Sequence, residues 1–136
     1  MPVKRTGLPT AAYAESIAIA PQTPLVYVSG ILADPIDGQV GVYGDTHQQA
    51  ISVLTKIKNI LAQHSLDMGH IIQLRAFVVG VPEQAGRLDF PAFQQAYRAF
   101  FDVDDQDAKP VRTVVQVVGL PLPGTLVEVE VVATRS

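Results

Sequence analysis

The chain has 136 residues, with 10 lysines and arginines against 13 aspartates and glutamates, for a formal net charge of −3. That length supports a hydrophobic core without covalent staples, and the absence of cysteine excludes disulfides, zinc thiolate sites and cysteine nucleophiles. A mildly acidic balance argues against a phosphate-binding surface, so no nucleic-acid partner is expected. Polar residues, Gly or Pro interrupt every apolar run before it reaches the roughly 18 residues of a membrane span, so no membrane partner is expected. The N-terminal MPVKRTGLPT has no apolar run behind its two charges and lacks the form of a secretory signal, so a cytoplasmic address is expected. No repeat or linker divides the chain, and residues 1–136 read as one domain.

Residues 15–20 and 25–31 are β-rich runs separated by Pro21-Gln22-Thr23-Pro24, and a hairpin is expected there. Asp45 caps a helix and Gln48 completes a capping box. Ala50, Val53, Leu54, Ile57, Ile60 and Leu61 then form an apolar stripe that ends near His64. Residues 70–81 have the composition of a central or near-central strand, with Gln73 and Arg75 on a mixed face. Asp89 caps a second helix, Pro91 suits its first turn, and Phe93, Tyr97 and Phe100 recur at helical spacing, with Leu88 placed to staple onto Phe93. The acidic stretch 102–107 reads as an exposed, mobile loop.

Residues 111–118 and 126–134 have strand composition around a Gly- and Pro-rich turn at 119–124, and pairing as a hairpin is expected. In that pairing Val115, Val117, Val127, Val129 and Val131 share one side. Arg112, Gln116, Glu128 and Glu130 share the other with Val114, Leu126 and Val132. The resulting order, β-β-α-β-α-β-β, is an α+β two-layer sandwich with both helices on one face of a mixed sheet. A chain that is 48% apolar and only 17% charged then leaves the bare face for subunit contacts.

No G-x-S-x-G, G-x-x-x-x-G-K-[ST] or G-x-G-x-x-G pattern is present, and His47, His64 and His70 have no metal-ligand spacing. Arg112, set between Val111 and Thr113-Val114-Val115, must meet an anion or water. Two readings stand on the residues alone. It is an exposed edge-strand arginine or one paired with an acidic neighbour, or else a guanidinium gripping a ligand carboxylate through two parallel hydrogen bonds. Glu128 likewise is a solvated strand residue or an acid/base and water-orienting group.

Val28-Ser29-Gly30, the capped helix, Tyr97-x-x-Phe100-Phe101, Pro110-Val111-Arg112-Thr113, Leu120-Pro121 and Val127-Glu128-Val129-Glu130 follow one another as in the RidA/YjgF family, which the chain resembles over residues 8–135. The resemblance implies a chorismate-mutase-like subunit in a homotrimer, with cofactor-free sites in the clefts between subunits. It implies hydrolysis of reactive enamines and imines such as 2-aminoacrylate to 2-keto acids and ammonia. Carried over by position, Arg112 is the carboxylate-binding arginine and Glu128 the water-activating glutamate, with Ser29 and Tyr13 beside the ligand. A non-catalytic trimer that binds a keto acid and regulates a partner is the alternative. The chain departs from the family pattern where Ile31 stands for a usual Gln, Lys109 for an aromatic and Gln94 for Asn, and these changes bear on pocket lining.

Overall fold

In the computed structural model, which describes residues 3–135, the chain runs β1 (Val3–Thr6), β2 (Ser16–Ile19), β3 (Leu25–Leu32), α1 (Thr46–Ala62), β4 (Ile71–Val79), α2 (Phe90–Phe100), β5 (Val111–Val117) and β6 (Val127–Thr134). This is the expected α+β architecture with one strand, β1, added at the N-terminus. Its sequence, Val3-Lys4-Arg5-Thr6, carries no apolar run that would reveal it.

Both helices begin where their caps stand. Asp45 accepts from the Gln48 backbone N–H at 2.8 Å, and the Gln48 side chain accepts from the Asp45 N–H at 2.9 Å. Two of the four orphan donors at the start of α1 are thereby satisfied. Asp89 accepts from Ala92 N–H at 3.1 Å, and Pro91 sits where its missing N–H costs nothing. Val53, Leu54, Ile57 and Leu61 of α1 and Phe93, Ala96 and Tyr97 of α2 are fully buried against the sheet.

The main sheet has the order β3-β6-β4-β5, while β1 and β2 pair in a separate two-stranded ribbon. Both expected hairpins are therefore corrected. β2 turns away to β1, and β3 pairs with β6. β5 lies parallel to β4, and β6 inserts antiparallel between β3 and β4. The sequence β4-α2-β5 is a crossover unit, which lets α2 cover the sheet it bridges. β6 presents Val127, Val129, Val131 and Ala133, all essentially buried, and an interior position gives that apolar row a strand on each side.

The faces follow from this register. Leu74 lies between Val131 and Arg112, Ala76 between Val129 and Val114, and Val78 between Val127 and Gln116, all on the helix-covered side. Phe77 lies between Glu128 and Val115, and Arg75 between Glu130 and Thr113, on the bare side. Arg112 and Glu128 thus occupy opposite faces, not the shared face expected from a β5–β6 hairpin. Parallel pairing with β4, which sets the phase of β5 independently of β6, accounts for the inversion.

The acidic stretch after α2 is built rather than loose. Asp105 caps a short 3-10 turn at Gln106–Ala108, the Arg5 guanidinium donates to the Asp107 carbonyl, and Gln106 Nε2 donates to Gly7 O at 2.9 Å. Among the described residues no helix is long and apolar enough to cross a membrane.

Candidate functional site

Arg112 sits at the start of β5 on the helix-covered face, where that face runs out beyond α2. Its guanidinium carbon lies 4.5 Å from the Tyr97 ring centroid, 5.2 Å from that of Tyr13 and 5.8 Å from that of Phe90. One terminal nitrogen, Nη1, donates to Gln94 Oε1 at 2.6 Å. Among the described residues no carboxylate forms an ion pair with it. The acidic-neighbour reading of Arg112 therefore finds no partner among the described residues. Three rings and one neutral acceptor hold the cation by its faces and one corner, leaving Nε and Nη2 as parallel donors. Burial pushes the Arg112 pKa down and the neighbouring Tyr97 and Tyr13 push it back up, while Arg98 adds to the lowering. A guanidinium this far from losing its proton stays charged, and part of its hydration is gone, which strengthens attraction for an anion.

Arg112 lines a cavity of about 420 Å³ with Leu8, Tyr13, Glu15, Gln73 and Thr113. Tyr13 is 43% exposed and presents its ring to this space. Tyr97 forms the floor beneath the guanidinium. Its hydroxyl donates to Ala12 O at 2.8 Å, and burial raises its pKa to about 12. The sequence marked Tyr97 as part of a core stripe and Gln94 as a change in pocket lining, and their contact with Arg112 appears only once α2 lies over β5. Phe90 was not singled out. Its place at the first helical position after the Asp89 cap is the signal that points it past the end of the sheet.

Glu128 and the Ser29-Gly30 segment of β3 form a second cluster. The β3–β6 register breaks between Val28 and Ile31, so Ser29-Gly30 forms an irregularity in the strand beside Glu128. The Glu128 carboxylate occupies the space above Gly30, where a Cβ would stand 1.9 Å from Oε2. Glycine at this position is what admits the carboxylate. The structure thus brings Tyr13 to Arg112 and the Glu128 carboxylate to Gly30, next to Ser29 in the strand, and keeps the two places apart. They lie on opposite faces, and β4 separates β5 from β6, so two strand spacings alone amount to about 10 Å. Among the described residues no cluster of three or more His, Asp or Glu side chains could hold a metal ion.

The face that bears Glu128 also carries the Arg75–Glu130 ion pair at 3.3 Å and Tyr27, which is 73% exposed. Tyr27, Leu25, Ile17, Ile19, Ile72 and Val132 border an apolar hollow beside it.

Residues 5–135 match the family model described as Endoribonuclease L-PSP. The 3-aminoacrylate deaminase RutC of Acinetobacter baylyi is 32% identical over 121 residues, covering 85% of this chain and 87% of that protein. Protein MMF1, mitochondrial, of Saccharomyces cerevisiae is 32% identical over 134 residues, covering 98% of this chain and 83% of that protein. Among solved structures, E. coli TdcF with bound serine superposes with a TM-score of 0.64 at 28% identity, covering 98% of this chain and 99% of that one. A Rid-family protein, YyfB from Yersinia pestis, gives 0.73 at 20% identity, over 98% and 99% of the two chains, and supports the fold. With a family match across nearly its whole length and relatives above 30% identity, the chain belongs to the Endoribonuclease L-PSP family, the RidA/YjgF proteins.

Proposed function

We propose that the protein hydrolyses reactive enamine and imine carboxylates, such as 2-aminoacrylate, to 2-keto acids and ammonia. The observation that carries this reading is Arg112, a cation lining a cavity that, among the described residues, has no anion to pair with and no hydrogen bond at its two parallel donors Nε and Nη2. A relative at 32% identity is named a 3-aminoacrylate deaminase, and a solved relative holds serine, which also bears a carboxylate.

The chemistry requires little machinery. The enamine gains a proton on carbon and loses one from nitrogen, and so tautomerises to an imine. Water adds to the C=N carbon, and the tetrahedral intermediate collapses with its nitrogen leaving as ammonia, so one water enters and one ammonia departs. Arg112 holds the substrate carboxylate and fixes the reacting carbon in place. Tyr13 flanks the bound molecule, and Ser29 with the backbone at Gly30 supplies polar contacts. Glu128 takes the proton from the attacking water and returns it to the departing nitrogen. No cofactor is needed for any of these steps.

A second copy is needed for Arg112 and Glu128 to meet. The bare sheet face, with Tyr27 exposed and its apolar hollow, is the surface through which subunits associate as a homotrimer, and a neighbour's Ser29–Glu128 cluster faces Arg112 across the cleft. The test generates 2-aminoacrylate and bulkier imines in solution and compares keto-acid release by the wild type and Arg112→Ala, with mass measured by light scattering. Faster release by the wild type alone from a trimer supports the proposal. Keto-acid binding without any acceleration would instead identify a metabolite-binding protein.

A further inference from the structure

Lys109 is fully buried, yet among the described residues it forms no ion pair. Its Nζ donates to Ala11 O at 2.6 Å, Pro9 O at 3.0 Å and Leu8 O at 3.5 Å. Three carbonyls meet the three N–H bonds of an ammonium group. Taking such a charge out of water costs several kcal/mol unless its donors are satisfied, and an apolar residue here would instead strand the three carbonyls.

These carbonyls belong to a stretch that forms no helix or strand between β1 and β2. The neighbouring carbonyls are also taken by side chains: Gly7 O by Gln106 at 2.9 Å, and Ala12 O by the Tyr97 hydroxyl at 2.8 Å. Beyond Tyr13 the segment is tied to β5 by Ala14 N–H on Pro110 O at 2.8 Å. Leu8, Ala11, Tyr13 and Ala14 of this segment form one wall of the cavity that holds Arg112.

We infer that Lys109 is a positioning residue for the candidate site: its side chain clasps the backbone of residues 8–11 and so holds Tyr13 against the Arg112 guanidinium. This rests on the functional reading above only for its effect on ligand. The clasp itself stands on the hydrogen bonds. Lys109 is not among the residues that line the cavity, its hydrogen bonds go to the backbone of residues 8–11, and it acts through Tyr13.

The clasp is testable without turnover. In the unaltered protein, the Lys109 ζ-ammonium protons should exchange slowly enough to give a resolved 15N-correlated signal at neutral pH. An exchange rate equal to that of the exposed Lys58 would overturn the inference, with no variant needed. In Lys109→Met, amide exchange over residues 8–14 should accelerate about tenfold or more while α1 and β4 stay protected. Unchanged exchange in that segment would overturn the clasp. Lys109→Ala removes the atoms of a propylammonium ion, so added propylammonium should slow the exchange again and propanol should not. Equal effects of the two would show that charge plays no part.

For the site, 2-ketobutyrate affinity should fall about tenfold in Lys109→Met and recover with propylammonium in Lys109→Ala. Tyr13→Ala combined with Lys109→Met should bind no more weakly than Tyr13→Ala alone, whereas full additivity would mean that Lys109 does not act through Tyr13. If the wild type binds no keto acid, the deaminase reading fails, and the clasp is judged by exchange alone.

Discussion

Replacing Arg112 with lysine separates charge from geometry at the proposed carboxylate site. The guanidinium has one corner committed to Gln94 Oε1 at 2.6 Å and its faces toward Tyr97, Tyr13 and Phe90. Two parallel donors remain for a carboxylate. Lysine keeps the positive charge but presents a single point, so one charge-assisted hydrogen bond is lost. Such bonds are worth about 1.5–3 kcal/mol, which corresponds to a fall of about 10- to 150-fold in kcat/KM. Most of the loss should appear in KM, because the carboxylate is held in the ground state as well as the transition state. Imine hydrolysis coupled to keto-acid reduction measures this directly. A melting curve on the same variant should move by only a few degrees, since Arg112 is partly exposed and a change of about 1 kcal/mol shifts a domain of this size by that amount. Turnover by Arg112→Lys within twofold of the wild type would refute the idea that two-point carboxylate recognition carries the site.

The remaining predictions concern the second cluster, a buried phenol and the core. Glu128→Gln should lower kcat by about 100-fold or more while keto-acid affinity is retained, as stopped-flow and calorimetry can show. Gly30→Ala should imitate it, because the new methyl meets Glu128 Oε2 at 1.9 Å and displaces the carboxylate, while urea unfolding changes by less than about 1 kcal/mol. Wild-type kcat in Gly30→Ala would show that the carboxylate position above Gly30 does not matter. The Tyr97 pKa of about 12 exceeds its ordinary value of 10.0, so the folded state keeps a proton that the unfolded state loses. The stability this group contributes is whole below pH 10 and disappears as pH rises to 12, by at most about 3 kcal/mol. Denaturant titrations across that range should show the loss in the wild type and not in Tyr97→Phe. Phe93→Ala empties a fully buried site between α2 and the sheet and should cost about 3–5 kcal/mol in chemical unfolding.

What the sequence alone determined was local. The Asp45–Gln48 box, the Asp89 cap and the alternation of Val127, Glu128, Val129 and Glu130 are short-range patterns, and each produced the expected helix or strand. The helical stripes of α1 and α2 likewise identified most of the buried apolar residues, although Ile60 and Phe100 are only partly buried and buried Ala96 lay outside them. The ordered motifs around Ser29, Arg112 and Glu128 pointed to the family, but their spacing carried no information about which face each side chain would occupy.

Strand pairing was decided by the tertiary structure. Residues close along the chain, β2 with β3 and β5 with β6, suggested hairpins because short loops favour neighbours. The apolar row of β6 instead drew it to the interior, and α2 returned β5 parallel to β4. That choice moved Arg112 to the covered face, beside Gln94, Tyr97 and Phe90, and left Glu128 on the bare one. The Lys109 clasp was equally hidden, since a lysine where the family has an aromatic pointed only to a change of pocket lining, and its carbonyl partners appear once the backbone of residues 8–11 folds over it. Period and capping depend on a few adjacent residues, whereas register, face and the partner of a buried charge depend on which distant strands gain most by lying together.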